Sequence, residues 1–262
     1  MGEDPRRRLD PHCLPAGRRD VAGVRAVAQP PQLTPRVVTI ISANTEWQVV
    51  RAVFPKALPE RTPFGEWFTQ PIAGEPLVFL FGGWGKVAAA ASAQYALDRW
   101  QPQLLVNLGT CGGFAGHVER GAILLVARTI IHDINERMGD PDDALAWYST
   151  TLDLSWLPAP LPSPAQRATL VSADADLDPA AVDWLHATHA AIAGDWESGA
   201  IAWVAARNHT RCLILRGVTD LVSPDGGEAY DGTLAHFTAA TDGVMRELLG
   251  VLEGWVGAGL RG

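Results

Sequence analysis

Three carboxylic acids stand beside short apolar runs of the sequence, where a folded chain would bury them. Glu46 follows the run V-V-T-I-I by a few residues, Glu197 precedes I-A-W-V, and Asp220 ends the segment L-I-L-R-G-V-T-D. A buried carboxylate is unfavourable unless it is paired or takes up a proton. Because burial raises the pKa of a carboxyl group, Asp220 could donate a proton. The three residues are therefore candidate functional residues.

Each of these acids also has a purely structural explanation. Arg216 lies in the same segment as Asp220 and could simply neutralise it. Glu46 could lie in the first turn of a helix, where negative charge is favourable, or cap that helix together with Asn44. Glu197 could be another charge at a helix N-terminus, although its small neighbours leave room for its two oxygens to accept a vicinal pair of hydroxyl groups.

The sequence lacks the motifs of phosphate, dinucleotide and metal sites and of covalent nucleophiles. The glycine-rich segments 82–85 and 109–113 have neither P-loop spacing nor the dinucleotide-binding G-x-G-x-x-G spacing, so each indicates only a tight turn or a close approach of the backbone. The histidines show no metal-binding spacing, there is no G-x-S-x-G motif, and Cys111 has no evident catalytic partner. We therefore expect no metal, no bound cofactor and no covalent nucleophile.

The composition excludes several classes of protein. The chain has 262 residues, 47% of them hydrophobic, which is enough to bury a substantial core. Its net charge of -8 argues against nucleic-acid binding, which normally needs a basic surface. No uncharged apolar stretch reaches the roughly 18 residues of a membrane span. Three scattered cysteines predict no disulfide framework, so we expect a soluble, cytoplasmic protein.

Residues 1–35 differ from the rest of the chain. They are rich in arginine and proline, have hardly any periodic apolar pattern and lack the apolar core of a secretory signal. Such a segment cannot bury enough apolar surface to fold alone. We expect a disordered extension, with an anion-binding arm as the alternative, followed by one folded domain over residues 36–262.

From Arg36 onward, short apolar runs alternate with helical segments. Val37 to Ile41 is a β-branched run followed by small polar residues and an amphipathic stretch, which is typical of strand, turn and helix. Further runs begin at 77, 104, 123 and 212, and helical patterns lie at 86–100, 197–208 and 233–252. This alternation predicts a single-domain α/β fold with a mostly parallel, mixed central sheet flanked by helices. Residues 141–164 show no clear period and are predicted to be irregular.

Most of the candidate residues follow predicted strands. In α/β folds ligands bind at the carboxyl ends of strands, where the chain turns toward the next helix. Glu46, Asp220 and both glycine-rich segments occupy such positions, and Glu197 lies just before a predicted helix. We expect the three carboxylates to share one cleft.

Six segments resemble, in order, motifs of the purine nucleoside phosphorylase and uridine phosphorylase superfamily. They are V-V-T-I-I-S-A-N-T-E-W, G-G-W-G-K-V-A-A-A, L-L-V-N-L-G-T-C-G-G, V-S-A-D-A, G-D-W-E-S-G-A-I-A and L-I-L-R-G-V-T-D. The resemblance covers residues 36–254 and is strongest to the branch of methylthioadenosine/S-adenosylhomocysteine nucleosidases. It implies a catalytic domain with a nucleoside phosphorylase-like fold.

The resemblance assigns roles to particular residues. Asp220 stands where the family has the aspartate that protonates N7 of the leaving purine, and Glu197 stands where a glutamate binds the ribose hydroxyls. Trp196 takes the place of a methionine packed beside the sugar. Glu46 is the carboxylate near the position of the glutamate that activates the attacking water, and Arg216 matches an arginine near that water.

Four further positions are implied to bind substrate. Asp176 and Leu177 lie where the family has an aromatic and an aliphatic residue that sandwich the base, and Thr110 and Gly112 belong to the central glycine-rich motif. An aspartate at position 176 could accept an N–H of the base, so a base other than adenine stays open. Gly82 stands where nucleosidases usually have a serine near the catalytic water.

The nucleophile is predicted to be water. Phosphorylases of the superfamily grip phosphate with an arginine before the central glycine turn, and the segment N-L-G-T-C-G has none. The first turn also lacks an arginine-bearing phosphate loop, and an anion site without both cations should bind phosphate poorly. Thr110 and Cys111 do resemble phosphorylases, which keeps that activity as the alternative.

Three hypotheses follow. The first is a nucleosidase that hydrolyses the N-glycosidic bond of a purine nucleoside, methylthioadenosine or S-adenosylhomocysteine, in nucleoside catabolism and methionine salvage; a futalosine-type nucleoside is its alternative substrate. The second is a phosphate-dependent purine nucleoside phosphorylase. The third is a nucleoside-binding relative without activity, motivated by the missing serine and by a turn at Glu46 that is one residue shorter than in the family. The family also implies a homodimer that binds a small nucleoside.

Overall fold

The computed structural model describes residues 35–230, 232, 233 and 235–261, and the predicted extension lies outside them apart from Pro35. The strands are β1 (Val37–Ile41), β2 (Glu60–Arg61), β3 (Glu66–Ile72), β4 (Glu75–Phe81), β5 (Leu104–Phe114), β6 (Ile123–Ile131), β7 (Ser149–Thr151), β8 (Gln166–Ser172), β9 (Ala191–Asp195), β10 (Arg211–Ser223) and β11 (Gly226–Gly227). The helices are α1 (Asn44–Val53), α2 (Lys86–Trp100), α3 (Pro141–Trp147), α4 (Val182–His189), α5 (Ser198–Arg207) and α6 (Ala235–Arg261).

The strands form one mixed sheet. Its parallel pairs connect β4 to β1, β1 to β5 and β5 to β10, and also β6 to β8 and β8 to β9. Antiparallel pairs join β3 to β4, β6 to β10 and β9 to β5. Because β5 pairs with both β9 and β10, the strands β5, β10, β6, β8 and β9 close into a ring. The predicted single-domain α/β fold with a mixed central sheet flanked by helices is confirmed.

The helices pack in pairs against strands that are almost wholly buried. Every residue of β1 is buried, as are the first eight residues of β5, which explains their continuous apolar sequences. α1 packs against α6, and α2 packs against α5. Ala89, Ala93 and Ala96 place small buried side chains along one stripe of α2, which lets it approach its neighbours closely. Within the described part of the chain we find no helix with the length and apolar character that crossing a membrane requires.

Two strands are longer than the sequence pattern predicts, and both carry site residues. β5 continues through the glycine-rich segment 109–113, and β10 continues past Thr219 and Asp220. β5 can continue past Gly113 because glycine has no side chain. A Cβ at this position would lie only 2.6 Å from Val118 Cγ1. These residues therefore lie within paired strands instead of in the turns that follow them.

The segment 141–164, predicted to be irregular, contains α3 and β7, so that prediction was wrong in part. Asp140 caps α3 by accepting the Asp142 N–H at 2.9 Å, and Pro141 occupies the first turn. Both are ordinary signals of a helix start. The helix has only seven residues, which is too short for an apolar period to be recognised.

Candidate active site

One cavity of about 300 Å³ opens where β1, β8 and β9 end. All the predicted site residues except Arg216 line it, and these are Glu46, Thr110, Gly112, Asp176, Leu177, Trp196, Glu197 and Asp220. The expected shared cleft therefore exists, and its volume suits a small-molecule ligand.

Asp220 lies at an irregularity of β10. The pairing of β10 with β5 shifts between Val218 and Asp220, which makes Thr219 an extra residue of the strand. Asp220 is 6% exposed, and its Oδ1 accepts the Thr219 hydroxyl at 2.7 Å. Burial raises the pKa of Asp220. A carboxyl group of this kind holds its proton longer than an exposed aspartate and can act as an acid.

Glu46 lies in the first turn of α1 and is 2% exposed. Its Oε1 accepts both the backbone N–H and the hydroxyl of Thr110, at 2.6 and 2.9 Å, and its Oε2 accepts the Ala43 N–H at 3.1 Å. The alternative that Glu46 caps its own helix thus holds in part, since Glu46 accepts a hydrogen bond from the backbone N–H of Ala43, just before α1. The same side chain also faces the cavity, where it can accept a proton from a ligand.

Glu197 precedes α5 and is 7% exposed. Its Oε1 accepts the Gly85 N–H at 2.9 Å. Burial, with the charge of Asp195 as a second cause, raises the pKa of Glu197 to about 8, and the charge of Arg216 opposes this rise. The side chain presents hydrogen-bonding oxygens to the cavity, as a vicinal diol requires.

Arg216 lies behind the cavity wall and is fully buried. Its Nη2 lies 2.7 Å from Asp195 Oδ2 and donates to Asn107 Oδ1 at 2.8 Å, and its Nε donates to Ser198 Oγ at 2.9 Å. The structural alternative, in which Arg216 pairs with Asp220, is therefore wrong, because Arg216 forms its ion pair with Asp195. A buried guanidinium held by three partners fixes the geometry around it.

The strand register explains why Arg216 and Asp220 are separated. Arg216 is opposite Gly109 of β5 and Asp220 is opposite Gly112. A Cβ at Gly109 would overlap the Arg216 guanidinium, whereas a Cβ at Gly112 would lie 3.6 Å from Asp220 Oδ2. Residues 109 and 112 point to opposite faces of a pleated strand, so the extra residue Thr219 places the two side chains on different faces.

The remaining predicted binding residues line the same cavity. Leu177 is buried and packs against Gly112 and Gly194, where added Cβ atoms would lie 3.2 and 2.6 Å from its methyl groups. The rings of Trp196 and Trp84 contact each other, with centroids 5.1 Å apart. Asp176 also lines the cavity. The cavity thus combines apolar surfaces with carboxyl groups.

Gly82 has no room for the serine that the resemblance leads one to expect. A Cβ at this position would lie 2.5 Å from Ser92 Oγ and 3.0 Å from Ile40 Cγ2. Ser92 of α2 occupies the space beside Gly82, so the structure explains why glycine stands at this position.

Several lining residues were not identified from the sequence. The Tyr230 hydroxyl donates to the Leu177 carbonyl at 2.9 Å, and Phe237 lies on the same lining. Tyr230 follows β11 and Phe237 lies in the first turn of α6, and this part of the sequence carries no recognised motif. His132 also lines the cavity, and burial lowers its pKa, which favours the neutral imidazole.

Nucleophilic and metal chemistry find no support among the described residues. Cys111 lines the cavity, but burial raises the pKa of its thiol, so it stays protonated. Across residues 35–261 as described, no group of three or more histidines, cysteines or acids is arranged to hold a metal ion.

Comparisons with known proteins show which proteins this chain is similar to. Residues 36–253 match the family model of the phosphorylase superfamily. The 5'-methylthioadenosine/S-adenosylhomocysteine nucleosidase of Marinomonas sp. (strain MWYL1) is 25% identical over 211 residues, which is 74% of this chain and 90% of that protein. The protein of the same name from Bacillus subtilis is 24% identical over 208 residues, 75% of this chain and 90% of that protein.

A solved structure gives the same result for the fold. The Campylobacter jejuni 5'-methylthioadenosine/S-adenosylhomocysteine nucleosidase has a TM-score of 0.66 at 16% identity, covering 84% of this chain and 99% of that chain. The match to the family model confirms the resemblance drawn from six short motifs, and the chain belongs to the phosphorylase superfamily.

Proposed function

We propose that the protein hydrolyses the N-glycosidic bond of a purine nucleoside, with methylthioadenosine and S-adenosylhomocysteine as its substrates. The observation that carries this proposal is the cavity shared by Asp220, Glu46 and Glu197. Burial raises the pKa of Asp220, which suits this group to give a proton. Glu46 faces the same cavity, where its carboxyl group can take a proton from water. The names of its relatives support the substrate assignment.

The reaction divides between these groups. Asp220 transfers its proton to N7 of the purine, so that the C1'–N9 bond breaks with its electron pair moving to the base. The sugar becomes an oxocarbenium-like cation, which nearby carboxylates stabilise. Water adds to C1' and gives its proton to Glu46. Glu197 holds the ribose hydroxyls, and the products are the free base and the 5'-substituted ribose.

The donors around Glu46 support water as the nucleophile. The N–H and hydroxyl of Thr110 point at Glu46 Oε1, and the Ala43 N–H points at Oε2. A carboxylate therefore occupies the donors that a phosphate ion would need. Among the described residues that line the cavity there is no arginine or lysine, so a phosphate ion would meet negative charge instead of a cation.

Base release with and without phosphate tests the proposal. Purified protein is incubated with methylthioadenosine, and the free base is followed by chromatography. We expect release at the same rate in phosphate-free buffer and in added phosphate. Release that depends on phosphate would instead identify a phosphorylase, and binding without release would identify a nucleoside-binding protein.

The dependence of rate on pH should report the proton on Asp220. The rate should fall as pH rises through the raised pKa of this acid, because only its protonated form is active. The charge of Glu228 contributes to that raised pKa. Glu228→Gln should therefore lower the pKa of Asp220 and move the alkaline decline of kcat/KM to lower pH. Asp225→Asn removes an exposed charge nearby and is the control; an identical profile for Glu228→Gln and wild type would contradict the assignment.

The proposal includes a homodimer in the cytoplasm, with methionine salvage as its role. The nucleosidase names of the relatives support the metabolic role. The exposed apolar side chains of Trp84 and Val87 beside the cavity are compatible with a partner subunit. Light scattering coupled to size exclusion gives the mass that decides between monomer and dimer.

A further inference from the structure

A network of three charged residues joins three segments near the cavity. Lys86 is the first residue of α2, Asp133 follows β6, and Asp174 follows β8. The Lys86 ammonium pairs with both oxygens of Asp133 and lies 3.7 Å from Asp174 Oδ2. Asp174 Oδ1 accepts the backbone N–H of Lys86 at 2.7 Å, and the Asp174 N–H donates to Asp133 Oδ2 at 3.1 Å. The network is thus closed by main-chain as well as side-chain bonds.

This network borders the turn that supports Glu197. Gly85 immediately precedes Lys86, has a φ of 85°, and donates its N–H to Glu197 Oε1 at 2.9 Å. A Cβ at Gly85 would lie 3.1 Å from Asp174 Oδ1, so the turn and the Asp174 carboxylate are in contact. A shift of the network would therefore move the donor that orients Glu197.

The network positions the start of α2 more than it stabilises the fold. The side chains of Lys86, Asp133 and Asp174 are 19%, 31% and 40% exposed, and ion pairs this exposed add little to the free energy of folding. The bonds from backbone N–H groups to carboxylates have a different effect, because they fix the chain path at the start of α2. Without the ammonium group, Asp133 and Asp174 would repel each other across that start.

We propose that Lys86, Asp133 and Asp174 are positioning residues for sugar recognition: they hold the Gly85 N–H in place, and this N–H holds Glu197 toward the ribose hydroxyls. The inference rests on the proposed function, since it assigns the sugar hydroxyls to Glu197. It adds a group of residues outside the cavity lining to the determinants of substrate binding.

Removing the ammonium group should weaken binding in a way that depends on the sugar hydroxyls. For Lys86→Met we expect kcat/KM for methylthioadenosine to fall about tenfold, mainly through KM. For 2',3'-dideoxy-methylthioadenosine, which lacks both hydroxyls, we expect a change of less than about twofold, after subtraction of uncatalysed hydrolysis. A purely structural role of Lys86 would lower both values equally, and that result, or no loss at all, would overturn the inference.

The chain offers a matched control. It contains two lysines, and the other, Lys56, is exposed. Lys56→Met makes the same change in charge and should leave both substrates unaffected, while Lys86→Arg should restore most of the lost activity. Should Lys86→Met fail to fold, Asp133→Asn, which removes the main partner of the ammonium group, is expected to give the same selective loss for the riboside.

Failure of the proposed function would be recognised separately. If wild type releases no base from either nucleoside, the proposed hydrolysis is contradicted. The positioning inference is then tested by dissociation constants from calorimetry. Lys86→Met should raise the dissociation constant of the riboside about tenfold and that of the dideoxy analogue by less than about twofold. Equal weakening of both ligands would overturn it.

Discussion

Asp220→Asn should reduce base release from methylthioadenosine by about 10² to 10⁴-fold, the usual contribution of a general acid. Asparagine has nearly the same shape and can still accept the Thr219 hydroxyl at its oxygen, but it has no acidic proton to give to the purine. Substrate affinity should change far less than kcat. Single-turnover base release and equilibrium binding, measured on the same preparation, separate these two effects.

The control for this variant is Asp225→Asn, which makes the same substitution at an exposed position five residues along the chain. It should retain wild-type activity, and both variants should unfold at temperatures close to that of wild type. Full activity in Asp220→Asn would refute the role of Asp220 as the acid, whatever else lines the cavity.

Gly109→Ala should destabilise the protein by about 3–5 kcal/mol, the cost typical of breaking a buried ion pair. The new methyl group would overlap Arg216 Nη1 and lie 2.7 Å from Glu46 Oε1. Arg216 cannot move aside at little cost, because it is fully buried and bonded to Asp195. Urea unfolding followed by circular dichroism measures the loss, provided that the slope with denaturant stays unchanged.

A second glycine provides the matched comparison. Gly250 lies within α6, and a Cβ there would meet no atom within 4 Å. Gly250→Ala should therefore stabilise the protein by about 0.5–1 kcal/mol, because alanine favours the helix interior. Equal stability of Gly109→Ala and wild type would mean that Arg216 is free to relocate, which contradicts its role as a fixed support.

The sequence was sufficient to identify the carboxyl groups of the cavity. Asp220, Glu197 and Glu46 each stand next to an apolar run, and buried acids of this kind need a reason. Their order along the chain also matched a known family. The apolar runs identified the strands as well, because strands buried on both faces have continuous apolar sequences.

The contacts among these groups were beyond sequence reasoning. The extra residue at Thr219 changes the face on which Asp220 lies, yet neighbouring residue types do not reveal a strand irregularity. It separates Asp220 from Arg216, the partner that proximity in sequence suggested. The cluster of Lys86 and Asp133 likewise joins segments far apart in sequence, and such partners are chosen by the tertiary fold.

The closed ring of strands has a consequence for how the enzyme is made. Asp220 lies on β10, and β10 pairs with β5 beginning at Arg211 opposite Leu104. Asp220 therefore reaches the cavity only after most of the polypeptide has been synthesised. Contacts between such distant segments form slowly. A nascent chain that stops before residue 211 would carry Glu46 and Glu197 but not Asp220, which we propose as the acid, so we expect no turnover until β10 has been translated.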